Sequence, residues 1–365
     1  MHETGVTVSH PGLEGVLTSD DVARSAEHLL RVQHANGLIA WFPGGHGDPW
    51  NHVEAAMALT ATGHLDAARA AFDWLATHQR RDGSWFNYYV GEWVSSRRLD
   101  TNVCAYVATG VWHYAAATGA RDTVASWWPM VERAIDFVLR AQRADGTVAW
   151  SYDGRGVVES YALLTGSSSL FLSLECALRI ADDLGHDRPA WRSAIGRLGH
   201  AIATHEASFA PKPHFAMDWY YPILSGVVRG DAAQQRLSDG RSTFILADYG
   251  VRCVSTNDWV TAAETSEYVL ALDALGRRDE AMTMLTATRE HRTEQGEYLT
   301  GWVYPQRVTF PTLETSSYST AAVLLAADAL AQTSPASSLF RQAGTWGRIP
   351  TTCEVCSATP LEGVE

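Results

Sequence analysis

Leu75-Ala76-Thr77-His78-Gln79-Arg80-Arg81-Asp82-Gly83-Ser84-Trp85 decides how the chain is read. An amphipathic helix runs into Gln79, Asp82-Gly83 turns the backbone, and an indole follows at once. A Gly at such a turn reaches the left-handed conformation without a Cβ penalty. A Gln at a helix end can bond the carbonyls left without partners there, or reach the next unit. The Trp then offers a large apolar face to cover a neighbour. From here the chain reaches Leu99-Asp100-Thr101-Asn102-Val103-Cys104-Ala105-Tyr106, where a second, more apolar helix begins.

The same unit of helix, turn, aromatic and helix recurs in both directions, and internal repeats of this kind set the architecture. The periodicity predicts helix pairs over 20–33 and 51–62, 65–79 and 100–118, 124–142 and 168–184, 189–205 and 218–228, 232–237 and 259–275, and 279–292 and 319–331. The first helix of each pair carries charges on one face. The second is Ala-rich and apolar on all sides, as buried helices are. This is an all-α chain, and the contrast predicts an α/α toroid: a double ring of about six pairs, apolar helices inside, with a cavity on the axis. A polar segment over 1–19 precedes a single toroid domain over 20–332. A tail over 333–365, with Cys353 and Cys356, is expected to be loose or laid over the surface.

Composition narrows the partners. The net charge is −13, and one Lys (Lys212) stands among the basic residues with no basic stripe, so nucleic acid is not expected. No run of apolar residues is long enough to span a bilayer, and the N-terminus lacks the pattern of a secretory signal. Five cysteines, an odd number in a large chain, fit reduced thiols in a cytoplasm. The oligomeric state is not legible.

Leu75-x3-Gln79-x3-Gly83-x-Trp85 resembles the glutamine–tryptophan repeat of the squalene–hopene cyclase and prenyltransferase β-subunit superfamily. Leu29-x3-Gln33-x3-Gly37 and Val138-x3-Gln142-x3-Gly146 match its first half, with their Trp displaced to Trp41 and Trp150, and Gln295-Gly296 is a weaker echo. The resemblance implies the ring fold and an isoprenoid substrate. It does not bring the family's catalytic motifs. In Ser255-Thr256-Asn257-Asp258 an amide, Asn257, stands where the cyclases place their proton-donating Asp, and an amide lacks that acidity. A helix cap is the plainer reading of this stretch. The zinc ligands of the prenyltransferases are also missing: Asp100 and Cys104 lie one turn apart, and His46-x5-His52 is not a ligand spacing. No metal site and no cofactor is therefore assigned, and a divalent ion has no support from ligand spacing.

Polar and aromatic groups recur where the apolar helices begin, and their recurrence at one end of the ring points to a cavity mouth. Acid–base candidates are Asp48, Glu54, Asp100, Asp218, Glu264 and Glu267. A carboxyl on an apolar helix is costly to bury, so it is paired, protonated or wet, and a raised pKa suits a general acid. Substrate-binding candidates are His46, Trp50, Asn51, Asn102, Trp150, His214, Trp219, Tyr220, Trp259, Trp302, Glu314 and Tyr318.

Three functions follow. The first is an enzyme of terpenoid metabolism, a transferase or cyclase that holds an apolar isoprenoid in an aromatic-lined cavity. The alternative is a carbohydrate-active enzyme of glycosidase or epimerase type, with a carboxylate pair such as Asp48/Asp100 or Glu264/Asp218 flanking the reacting carbon of a sugar. The third is a member of the superfamily that kept the ring and lost the chemistry.

Overall fold

The computed structural model describes residues 12–345. Thirteen α-helices run through them: α1 (Ser19–Val32), α2 (Pro49–Ala61), α3 (Leu65–His78), α4 (Thr101–Ala105), α5 (Val107–Thr118), α6 (Arg121–Leu139), α7 (Leu164–Leu184), α8 (Pro189–Thr204), α9 (Ala216–Leu224), α10 (Gly230–Phe244), α11 (Ala262–Ala274), α12 (Arg278–Ala287) and α13 (Ser317–Ala331). α4 and α5 are one helix interrupted at Tyr106, so the helices make six outer–inner pairs.

The inner ring is α2, α4–α5, α7, α9, α11 and α13. Each packs on the next, and α13 returns to α2. Every residue from Ala262 to Asp273 in α11 and from Ser317 to Leu330 in α13 is buried, which explains helices apolar on all sides. The outer helices bury one stripe, such as Val22, Ala26, Leu29 and Val32 in α1. The all-α toroid expected from the repeat is the observed fold.

The repeat stretch is a clamp between units. Gln79 Nε2 donates to Gly83 O at 3.0 Å and to Met130 O in α6 at 2.9 Å. Gln33 does the same to Gly37 and to Ala67 in α3, and Gln142 to Gly146 and to Ala194 in α8. Gly83 sits at φ +93°, and a Cβ there would lie 2.1 Å from Arg133 O of the neighbouring outer helix. Glycine is therefore required twice over, by conformation and by close approach. Trp85 is fully buried, with its indole N–H on Leu75 O at 2.9 Å. The ring closes where Ser25 Oγ of α1 donates to Gly296 O of the sixth unit at 2.7 Å.

Several boundaries differ from the sequence expectation. Asp239-Gly240 reads as a turn, yet α10 runs through it to Phe244. Gly240 stands under the indole of Trp219, where a Cβ would meet Nε1 at 2.3 Å, so the glycine serves packing and not a turn. Trp259–Thr261 is a strand paired with Gly301–Val303, and α11 starts after it. Ser255-Thr256-Asn257-Asp258 consequently caps no helix; Asn257 Oδ1 accepts from Trp259 N at 2.9 Å and Asp258 accepts from Arg252 Nε at 2.7 Å.

The long outer-to-inner loops gather at one end and pair into short ribbons. Tyr88–Val90 pairs with Trp93–Ser96, and Leu99–Asp100 with Ser151–Tyr152. At the other end, residues after α13 lie across the inner helices. Leu339, Phe340 and Ala343 are buried, Arg341 meets Asp273, and Gly344 N donates to Glu175 at 2.6 Å. Cys353 and Cys356 fall outside the described residues. No helix among the described residues is long and apolar enough to cross a membrane.

Candidate active site

The mouth of the ring is built on helix starts. Asp48 caps α2, accepting from Trp50 N at 3.0 Å, Asn51 N at 2.9 Å and the Asn51 side chain. Asp100 caps α4, accepting from Val103 N at 3.1 Å and from the indole of Trp150 in the third unit's loop. Both N-caps answer unpaired backbone N–H groups and face a helix dipole. Burial nevertheless dominates and raises both pKa values, that of Asp100 to about 6, with the nearby Asp48 charge adding to the rise.

Aromatic rings surround this pair. His46 stacks on Trp41 at 5.7 Å and meets the edge of Tyr88 at 4.9 Å. Trp50 stacks on Tyr106 at 4.6 Å and meets Tyr318 at 5.5 Å. Trp150 lies 5.5 Å from Tyr161, with the Arg98 guanidinium 4.5 Å over its face. Glu314 accepts from Trp41 Nε1 at 3.1 Å and from Thr300 at 2.9 Å, which fixes Trp41. Beside Asp100, Oδ1 of Asn102 is buried without a partner among the described residues.

Deeper in the ring lies a second cluster. Glu267 receives hydroxyl hydrogen bonds from Tyr220, from Tyr221 at 2.6 Å and from Tyr318 at 2.8 Å. Glu54 receives one from Tyr106. Burial pushes Glu54 up to about 7 and Glu267 up to about 8; the tyrosine hydrogen bonds oppose the rise at both, and the charges of Glu264 and Glu54 add to it at Glu267. Both carboxyls line an internal void of about 10 Å³, closed below by Phe340. That is room for about one water and no sugar. Glu264, in the first turn of α11, is held on one oxygen by the Thr261 hydroxyl.

Of the residues singled out in the sequence, the structure brings His46, Asp48, Trp50, Asn51, Asp100, Asn102, Trp150, Glu314 and Tyr318 to the mouth and stacks Glu54, Tyr220, Glu264 and Glu267 beneath or across from it. Others lie apart. Asp218 accepts from Thr165 and lines a separate side cavity of about 900 Å³ with Phe209, Phe215 and Lys212, so it does not pair with Glu264. Trp219 stacks between Phe244 and Tyr268, with its N–H on Arg236 O, and packs α9 against α10. Trp302 bonds Glu290 O, exposed His214 meets Ser255, and Trp259 bonds Phe310 O. Among the described residues no cluster of His, Cys, Asp and Glu could hold a metal ion.

Sequence reading missed Trp41, Tyr88, Tyr106 and Tyr221 as site residues. For Tyr106 a signal existed: it lies one helical turn after Asn102, on the same face as that candidate.

No family model matches the chain. Over 331 residues it is 46% identical to the MMP endo-(1,4)-3-O-methyl-alpha-D-mannosidase of Mycolicibacterium hassiacum, covering 91% of this chain and 92% of that protein. The chain belongs to the family of that endo-mannosidase. Solved structures agree on the fold. A structure described as a wild-type glycosidase superposes with a TM-score of 0.66 at 15% identity, covering 86% of this chain and 99% of that one. A D-mannose isomerase superposes with 0.64 at 11% identity, covering 86% and 96%.

Membership of the endo-mannosidase family overturns the resemblance to the squalene–hopene cyclase and prenyltransferase superfamily, and with it the terpenoid transferase or cyclase reading. The reason is visible in the clamp. The slot that Trp85 fills, six residues after Gln79, holds Ile39 in the first unit and Val148 in the third, both buried. Trp41 and Trp150 are not staples displaced in register; they are residues of the mouth. The Gln–Gly pairing solves a packing problem that a helical ring poses whatever its chemistry.

Proposed function

We propose that this protein is a glycoside hydrolase that cleaves a mannose-containing chain internally, with Asp100 as general acid and Glu264 as the carboxylate on the opposite wall. The observation that carries this reading is Asp100 itself. It sits at an inner-helix start at the mouth, ringed by aromatics, with its pKa raised to about 6. A carboxyl so poised keeps its proton to higher pH than a free aspartate, half protonated near pH 6, and can give that proton to a glycosidic oxygen.

α4 is the second inner helix and α11 the fifth of six, so Asp100 and Glu264 stand on opposed walls. Inverting glycosidases need carboxylates on opposite faces of the sugar. In this mechanism Asp100 protonates the leaving oxygen as the C1–O bond breaks. A water attacks C1 from the other face and gives its proton to Glu264. Asp48 acts through Asp100: its charge helps keep the neighbouring proton on. Glu54 and Glu267, sealed beneath the tyrosines, position Tyr106 and Tyr318 and touch no substrate.

The relative's name specifies 3-O-methylated, α-1,4-linked mannose, and the apolar faces of Trp41, Trp50, Trp150 and Tyr318 suit methyl ethers on such a chain. An apolar isoprenoid has no such support. The buried free thiols Cys104 and Cys176 support a reducing, cytoplasmic location.

The test is incubation of the purified protein with α-1,4-mannooligosaccharides, with and without 3-O-methyl groups, products being read by mass spectrometry and anomers by NMR. Asp100→Asn and Glu264→Gln should each lower kcat by about 10²–10⁴-fold. Full activity in either variant overturns its assigned role, and no cleavage of any mannoside overturns the function.

A further inference from the structure

The hairpin Tyr88–Val90/Trp93–Ser96 lies on the mouth end and carries an unusual face. Side chains alternate along a strand. Tyr89 points down and is buried against Trp74 at 5.1 Å. Tyr88, Val90 and Trp93 point the other way, 40%, 41% and 81% exposed. Val90 lies directly across the ladder from Trp93. An indole this exposed, on a protein with net charge −13, calls for a use.

The face is continuous with the mouth. The Tyr88 ring meets His46 at 4.9 Å, and the charges of Asp48 and Asp100 both reach its hydroxyl. Trp93 lies about two residues further along the ladder, about 7 Å outward at the usual strand rise. The face is also held still. Tyr89 exchanges backbone hydrogen bonds with Gly47 at 2.7 and 2.8 Å, in the segment between His46 and Asp48. Glu92, at the tip, accepts from Asn36. A hairpin fastened at its base and its tip is a fixed surface, with little ordering cost on binding.

We propose that Tyr88, Val90 and Trp93 form an outer subsite, a rigid aromatic track on which the glycan rests as it leaves the mouth. The inference rests on the glycosidase reading above and extends it. A chain cut internally must continue beyond the reacting residues, and a pyranose ring lays its C–H face on an indole. The track selects long chains over short ones.

The test compares wild type, Trp93→Ala and Trp93→Phe on mannooligosaccharides of increasing length. Wild type should gain apparent affinity with length as chains reach Trp93. Trp93→Ala should lose that gain, raising KM for the longest chains by roughly tenfold, the scale of removing an aromatic anchor, with kcat retained. Trp93→Phe should recover part of it. A length dependence identical to wild type in Trp93→Ala overturns the track and leaves the function standing. No cleavage and no binding of mannosides by wild type removes the function itself. Sedimentation of both proteins supplies the remaining outcome: a wild-type dimer that Trp93→Ala converts to monomer assigns the face to a second copy and overturns the glycan.

Discussion

The indole N–H of Trp150 donates to the carboxylate of Asp100, tying the third unit's loop to the second unit's inner helix. This bond favours the ionised carboxylate and opposes the larger effect of burial. Trp150→Phe removes it, so the pKa of Asp100 should rise further above about 6. If Asp100 must be protonated to act, kcat/KM falls as pH rises through that value, and the variant's basic limb moves to higher pH. A pH profile of kcat/KM on one oligosaccharide checks this. An unmoved limb with a raised KM would show that Trp150 only binds sugar.

The deep carboxyls make a separate claim about stability. Glu54 and Glu267 are raised from 4.5 to about 7 and about 8. Between the unfolded and folded values the native state holds more protons than the unfolded one. Stability therefore falls as pH rises from about 4.5 toward about 8, and levels off above. Glu267→Gln keeps the shape and removes the titration. Its Tm should decline less than that of wild type between pH 5 and pH 8, by thermal melts in matched buffers. Parallel declines would sink the claim.

Two glycines separate conformation from contact. Gly119 sits at φ +65° with nothing within 4 Å of a built Cβ, so Gly119→Ala should cost about 1 kcal/mol, the left-handed penalty alone. Gly83→Ala must add a Cβ at 2.1 Å from Arg133 O and push two outer helices apart. It should cost about 3 kcal/mol or more, among the larger effects of single substitutions. Denaturant titrations of both variants settle the ordering.

Gln79→Ala tests the clamp from the other side. It removes the bonds to Gly83 and Met130 and leaves Arg133 without its acceptor. A loss of about 1–2 kcal/mol is expected from a few part-buried hydrogen bonds. Activity in the surviving folded protein should be unchanged, because Gln79 lies on the outer ring. A selective loss of kcat would instead give the clamp a part in the site.

Phe340 closes the axis opposite the mouth and lines the void shared with Glu54 and Glu267. Phe340→Ala should cost about 3–5 kcal/mol, as large-to-small core changes do. It should also admit water to the two carboxyls and draw their pKa values down, which weakens the pH trend described for Glu267. Melts of the variant across pH read both effects together.

The ring was legible because its signals are local. A period of helix and turn, a Gln and a Gly at fixed spacing, and the contrast between Ala-rich and charged helices each follow from a few adjacent residues. Asp48 and Asp100 were legible for the same reason, since an Asp before an apolar helix is recognisable as a cap. The limits were equally physical. Gly240 reads as a turn because its partner Trp219 is distant in sequence. Tyr106 and Tyr221 carry no such mark, because a buried tyrosine and one holding a carboxylate look alike until the acceptor is placed.

The sequence by itself determined an all-α double ring, the end of it that carries polar side chains, and the carboxyls available there. The Gln–Trp repeat suggested a terpenoid enzyme, but such a clamp belongs to ring packing and is silent on substrate. Only the tertiary structure decided which carboxyls share the mouth, which are sealed under tyrosines, and that Asp218 faces another cavity. The reason is that helix caps and periodicities are set within one turn of chain, whereas a site on the axis is made of residues from six units that meet only when the ring closes.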